Sequence, residues 1–239
     1  MVKLVIISDI HGNHDALRAL PEEYDELWVL GDLVNYGPQP NEVVTDIMEK
    51  ASLAIQGNHD YAVAHDDDRR WSARYRPMAE ATRRYTSSAL GDAQKAYLRG
   101  LPQQARAERD GLRFHLTHAM PSNPLYGRHP GDATGWEAEL AGLQADVLLV
   151  GHTHVPMLRR VGDRVVLNPG SLGQPRDGTT LASYAVCQDG RFELKSFRYP
   201  VEATIAKLKN LGLPHPVESE LVAILETGSV RSDTDTARR

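Results

Sequence analysis

Three features of this 239-residue chain predict an α/β fold built on parallel strands. Short apolar runs alternate with segments of helical period, in the order β-α-β-α-β, over the first sixty residues. Several of those runs are apolar on both faces, as strands buried between layers are. Farther on, closely spaced strand-like segments are joined by Gly162-Asp163 and Asp189-Gly190, two hairpin turn pairs.

In chain order, residues 2–7, 27–30, 53–56, 112–117 and 146–150 read as strands. Residues 13–20 and 41–50 read as helices, the second opened by Pro40-Asn41-Glu42. Residues 155–161, 164–167, 181–188 and 191–198 read as the later strands. Between the two groups, residues 66–100 read as a helical insertion. There Asp66-Asp67-Asp68 is placed to complement a helix N-terminus, and Trp71, Tyr75, Met78 and Tyr85 share one apolar face that Pro77 should break or kink. Arginines at 69, 70, 74, 76, 83 and 84 admit a phosphate clamp, but a solvated helix face is the simpler reading. The expected organisation is one domain over 1–199, a helical segment over 200–227 and a disordered tail from Gly228.

Composition bounds the function. With 27 Lys and Arg against 32 Asp and Glu, the net charge of −5 disfavours bulk electrostatic binding to nucleic acid or anionic membrane. Cys187 is the single cysteine, so no intrachain disulfide forms. No apolar run approaches the roughly 20 residues of a membrane span. The first apolar run ends at Ser8-Asp9, too short for a signal peptide core. A cytoplasmic address is expected.

The chemistry lies just past the strands. The first ends in Asp9-Ile10-His11, the second in Gly31-Asp32 and the third in Gly57-Asn58-His59-Asp60. The fourth runs into His118 and the fifth into Gly151-His152-Thr153-His154. Sites in α/β sheets form beyond the carboxyl ends of strands, so five of the ten histidines would converge there. A carboxylate can bridge two cations roughly 3.5–4 Å apart. Asp-x-His and His-x-His on an extended strand end would put both side chains on one face. Candidate metal ligands are therefore Asp9, His11, Asp32, Asn58, His118, His152 and His154. Two divalent ions, two carboxylates and a bridging hydroxide leave about +1 at the centre, suited to a phosphate anion.

These five blocks resemble the calcineurin-like metallophosphoesterase superfamily, whose pattern is D-x-H, G-D, G-N-H-[DE], H and G-H-x-H in this order. The resemblance spans residues 9–154, and it implies a four-layer αββα sandwich of two mixed β-sheets. It further implies that Asp9, His11, Asp32 and His154 hold one metal and that Asp32, Asn58, His118 and His152 hold the other. His59 would be the general acid in a hydrolysis led by a metal-bridging hydroxide. Mn²⁺ is the implied metal, with Fe, Zn, Ni, Co or Mg as alternatives. His118 is taken over His115 because it lies at the strand's end, past the Leu112, Phe114 and Leu116 alternation.

Departures narrow the branch. Protein Ser/Thr phosphatases and the related diadenosine tetraphosphatases carry G-D-x-V-D-R-G and an arginine before G-N-H-E. This chain reads Gly31-Asp32-Leu33-Val34-Asn35-Tyr36-Gly37, and Gln56 precedes Gly57. Both phosphate-gripping arginines are missing from those places, which favours a phosphodiesterase over a protein phosphatase. Asn35, Tyr36 and Arg176 are candidate substrate contacts; Arg176 follows an Asn168-Pro169-Gly170-Ser171 turn like that of the bacterial phosphodiesterase-like members. The 121–135 loop, with Tyr126, Arg128 and His129, follows His118 and could shape substrate choice. The expected substrate is a small phosphate ester or nucleotide. A catalytically idle scaffold that binds protein partners and a nuclease-like phosphodiesterase are the alternatives.

Overall fold

Alternation along β1 (Leu4–Ile7) sends Leu4 and Ile6 to one face of a sheet and Val5 and Ile7 to the other, all four buried. That double burial requires a layer on each side, and the computed structural model, which describes residues 2–67, 71 and 73–230, supplies both. β2 (Glu26–Val29) and β3 (Leu53–Ala54) run parallel to β1 in the order β1-β2-β3. In the second sheet β4 (Gln104–Arg109) and β7 (Met157–Val161) are antiparallel edges. The parallel strands β5 (Leu112–Thr117), β6 (Val147–Leu149) and β8 (Arg164–Asn168) lie between them. The hairpin of β9 (Ala182–Gln188) and β10 (Arg191–Phe197) returns to the first sheet, where β9 pairs antiparallel with β1.

The two sheets pack face to face. Leu4, Ile6, Trp28 and Leu30 meet Phe114, Leu116, Leu149 and Leu167, with Trp28 and Phe114 edge to face at 5.1 Å. On the outer face of the first sheet, Val5, Ile7 and Val29 pack against α1 (His14–Arg18), α2 (Pro40–Lys50) and Leu98 of α5 (Asp92–Gly100). On that of the second, Leu148 and Val166 pack against Trp136 and Leu140 of α6 (Ala133–Leu140). The result is the four-layer α/β sandwich with two mixed five-stranded sheets.

A further cluster stands to one side. Met78 and Ala79 of α4 (Arg76–Ala89) pack with Ile205 and Leu208 of α7 (Val201–Lys209) and Leu221 and Ile224 of α8 (His215–Thr227). Tyr36 and Trp71 are buried in this cluster, so the helices brace two side chains beside the strand ends. Gly228 caps α8 with φ +63°, and its carbonyl accepts from Gly178. The tail expected from there lies, over 231–239, outside the described residues.

Four local expectations are corrected. Pro77 opens α4 rather than breaking a helix, because a missing N–H costs nothing in the first turn. Asp66 ends α3 (Asn58–His65) in the left-handed conformation, φ +53°, instead of opening a helix; Asp68, Arg69 and Arg70 lie outside the described residues. Trp71 precedes α4 and does not share its face with Met78 as a helical residue. The fourth correction concerns the backbone of the site itself.

Candidate metal centre

β1, β2 and β3 run parallel, as do β5 and β6, so the segments that follow them emerge at one end of the sandwich. Asp9, His11, Asp32, Asn58, His118, His152 and His154 are brought together there. The backbone that carries them is not extended. Asp9, His11, Asp32, His152 and His154 have φ between +48° and +69°, as do Asn35 and Tyr36. A left-handed L-residue costs roughly 1 kcal/mol or more, and such strain gathers at functional sites. Among the described residues ten non-glycines adopt it, and these are seven of them.

Glycines let the turns close on one another. A Cβ on Gly57 would lie 2.1 Å from Asp32 Oδ1 and 2.3 Å from the Asp32 amide nitrogen. One on Gly151 would meet Ser8 Oγ at 2.1 Å and Asp9 Oδ2 at 3.0 Å. Asp60, buried, then ties two turns together: its carboxylate accepts from the amides of Asp32 (2.8 Å), Leu33 (2.8 Å) and Gly57 (3.0 Å). Sequence reading gave Asp60 no role. Its work is to hold Asp32 against the loop that presents Asn58.

The side chains form two groups that share Asp32. In the first, Asp9 Oδ1 lies 3.2 Å from His154 Nε2 and 3.8 Å from His11 Nε2, and Asp32 Oδ2 lies 3.8 Å from His11 Nε2. In the second, His118 Nε2 lies 3.2 Å from Asp32 Oδ2 and 3.2 Å from Asn58 Oδ1, which is 3.0 Å from His152 Nδ1. A nitrogen of His59 also comes within 4.8 Å of ligand atoms of His11 and Asp32.

Whether this set suits cations is decided by where its protons must be. A carbonyl oxygen only accepts, so the Nδ1 atoms of His11, His118 and His154 donate to Val34 (3.0 Å), Leu30 (2.7 Å) and Gln174 (2.6 Å). The neutral His11 and His154 rings then turn an Nε2 lone pair inward, while His118 sets its Nε2 against Asp32 Oδ2 at 3.2 Å and holds a proton there until a cation takes its place. His11 and His154 thus oppose two lone pairs at 3.1 Å, and Asp9 Oδ1 is buried without a hydrogen-bond donor. Unpaired carboxylates and opposed lone pairs are costly in a buried site unless a cation sits between them. Burial lowers the pKa of His11 and His154 and brings that of His152 down to about 3, keeping these rings neutral. Burial works against His118 too, but the Asp32 charge and hydrogen bond outweigh it and push its pKa up to about 9. The residues fit two divalent ions with oxygen and imidazole ligands.

Around the groups lies a cavity of about 840 Å³, lined among others by His59, Trp71, Tyr75, Tyr126, Arg128 and Arg176. His59 stacks on Trp71 with centroids 4.6 Å apart, and Asn35 Nδ2 donates to its Nδ1 at 2.9 Å. Burial brings its pKa down to about 4, the Asp32 charge opposing and Arg176 assisting. Trp71 is a site neighbour that sequence reading placed only on a helix face. The Arg176 guanidinium lies 5.8 Å from the Tyr36 ring and 5.1 Å from that of Tyr75, with Nη2 donating to Gln174 Oε1 at 2.7 Å. Arg74, Arg76 and Arg83 do not line the cavity. Arg83 is buried and pairs with Asp66. Gln56 holds the Leu98 carbonyl at 2.7 Å, His115 faces Gln104 at 2.9 Å on the β5–β4 pair, and Asn13 caps α1.

Residues 2–189 match the model of the calcineurin-like phosphoesterase superfamily domain. The chain belongs to the calcineurin-like phosphoesterase superfamily. It is accordingly a metal-dependent phosphoric ester hydrolase. A metallophosphoesterase structure from Sphaerobacter thermophilus superposes on this phosphoesterase with TM-score 0.81 and 29% identity, covering 95% of this chain and 99% of that one. Phosphodiesterase YfcE of Escherichia coli is 28% identical over 201 residues, 78% of this chain and 87% of that protein. A Methanocaldococcus jannaschii protein is 28% identical over 243 residues, 90% and 96% of the two chains. Among the described residues, no helix is long and apolar enough to cross a membrane.

Proposed function

We propose that this phosphoesterase is a two-metal phosphodiesterase of small phosphate esters or nucleotides, working in the cytoplasm. The observation that carries the reading is the pair of ligand groups meeting at Asp32. Asp9, His11, Asp32 and His154 would hold one ion, and Asp32, Asn58, His118 and His152 the other. When bound, two such ions would activate water as the nucleophile and offset the charge of the phosphate. Mn²⁺ is the proposed ion, on family resemblance. The lone cysteine, Cys187, is buried and asks for no oxidising compartment.

The chain's own residues supply the rest. Asp60 and the Gly31 and Gly57 turns fix the shared carboxylate before substrate arrives. As general acid His59 would act from its imidazolium form, with Nδ1–H turned to the Asn35 amide oxygen, which is buried without a partner, and with the Nε2 proton given to the departing oxygen. Trp71 and Tyr36 wall this ring and keep bulk water from it. Tyr36 stands where the related phosphatases carry arginine, and Arg176 stacks beside it, so Arg176 returns one positive charge to that wall. One such charge suits the single negative charge of a diester. The name of YfcE supports the same preference.

The test is hydrolysis of bis-p-nitrophenyl phosphate and p-nitrophenyl phosphate by chelator-stripped protein, with and without Mn²⁺. The proposal expects turnover only with metal, and faster on the diester. Failure of protein reloaded with two ions to cleave either ester would overturn it in favour of the idle scaffold.

A further inference from the structure

Arg176 brings a positive charge to the cavity wall, and a side chain of that length left to its own rotamers would not stay in one place. The turn that delivers it is built from groups already tied to the strand-end residues. Ser171 Oγ donates to the Asp9 carbonyl at 2.7 Å and accepts from the Gln174 amide at 2.7 Å. The Gly173 amide donates to the same Asp9 carbonyl at 3.1 Å. A Cβ on Gly173 would lie 1.8 Å from the Ile10 carbonyl oxygen, so only glycine lets this turn close on the Asp9-Ile10-His11 segment.

Gln174 is where this turn meets the guanidinium. Only 3% exposed, it works with both its main chain and its side chain. Its carbonyl accepts from His154 Nδ1 at 2.6 Å, and its side chain accepts from Arg176 Nη2 at 2.7 Å. A guanidinium can only donate, so the Gln174 amide must present its oxygen there. Between the two stands buried Pro175, whose ring fixes φ, and the Arg176 amide donates to the His154 carbonyl at 3.4 Å. The rings of Tyr36 and Tyr75 lie 5.8 Å and 5.1 Å from the guanidinium carbon. One buried residue thus holds a candidate metal ligand through its backbone and a cavity arginine through its side chain.

We propose that Gln174 is a positioning residue that aims Arg176 at the phosphate and keeps the guanidinium in register with Asp9 and His154. The inference rests on the two-metal phosphodiesterase reading, with Arg176 as a phosphate contact. Ordering a rotamer-rich side chain on binding costs affinity, and a guanidinium fixed beforehand has less freedom left to lose. A phosphate gripped in this way is gripped alike in the substrate and in the transition state, so loss of the register raises KM. A disturbed ion site would lower kcat instead, because the ions supply the nucleophile.

The experiment is steady-state hydrolysis of bis-p-nitrophenyl phosphate by the Mn²⁺-loaded full chain, in a double-mutant cycle of Gln174→Met and Arg176→Ala. Met keeps the length of Gln but lacks the acceptor; Gln174→Ala is made beside it, so that the test does not depend on one replacement. Either Gln174 variant, folded by its melting temperature and loaded with metal as the wild type is, should raise KM about 5-fold with kcat within about twofold. Arg176→Ala should raise KM roughly 30-fold, and adding Gln174→Met to it should change nothing further, because Gln174 acts through the guanidinium. An unchanged KM in the Gln174 variants beside a weakened Arg176→Ala enzyme would overturn the positioning role while leaving the Arg176 contact standing. A rise in KM that persists in the Arg176→Ala background, or a fall in kcat with loss of metal, would overturn it as well. An Arg176→Ala enzyme equal to wild type would remove the phosphate contact, and the proposal with it.

Discussion

Gly57→Ala concentrates the local argument on one methyl group. The added Cβ would sit 2.1 Å from Asp32 Oδ1, where contacts below 3.0 Å essentially never occur. The carboxylate must retreat by about 0.9 Å, while the Asp32 backbone is pinned by Asp60 through the Asp32 and Leu33 amides. That movement also breaks the 2.9 Å hydrogen bond from the His59 amide to Asp32 Oδ1. A displacement near 1 Å at a reacting group costs roughly 100-fold in rate. We expect Gly57→Ala to lose about that factor in kcat/KM on bis-p-nitrophenyl phosphate. Metal analysis should show weakened loading of both positions, because Asp32 serves both. Gly100→Ala is the control, since a Cβ there meets nothing within 4 Å. A Gly57→Ala enzyme with two tightly held ions and activity within threefold of wild type would refute the reasoning.

Three further outcomes follow from the same residues. Arg176→Ala removes a charge-assisted contact of about 2 kcal/mol, so kcat/KM should fall roughly 30-fold, with Arg176→Lys intermediate because it cannot stack between Tyr36 and Tyr75; equal rates in all three enzymes would exclude Arg176 from substrate binding. His59→Ala should keep both metals and lose most on esters with poor leaving groups, and a loss independent of leaving-group pKa would remove it as proton donor. Glu22 is held at a pKa of about 2 by hydrogen bonds from Lys3 and, after a burial cost, from Lys195 and Tyr184. A lowered carboxylate pKa stabilises the fold above the unfolded value of 4.5, and the gain disappears as pH falls towards 2. Glu22→Gln should thus cost about 1–2 kcal/mol at pH 7, allowing for solvent screening, and nothing near pH 2. Denaturant melts at both pH values decide it; an equal loss at both would show that packing, not charge, is at work.

What the sequence disclosed was set by how strongly each feature is local. β1 and β6 are legible because both faces are buried and the apolar run is unbroken. β4 is not, since Gln104-Ala105-Arg106-Ala107-Glu108-Arg109 is a half-exposed edge whose partner, not its composition, makes it a strand. α3 begins on Asn58 and His59, so its first turn is buried by the site and carries no apolar stripe. The convergence of seven donor side chains could be read from their places at strand ends. The left-handed backbone that aims them could not, because Asp and His disclose no φ value. Trp71 and Asp60 escaped for a similar reason: one reaches His59 from a distant segment, and the other acts through backbone amides.

The central claim is that two metal ions meet at Asp32. Anomalous diffraction from Mn²⁺-soaked crystals tests it most directly. The account predicts two peaks about 3.5–4 Å apart, both in contact with Asp32, one beside Asp9, His11 and His154 and the other beside Asn58, His118 and His152. A single fully occupied peak, or two peaks that do not share Asp32, would contradict it.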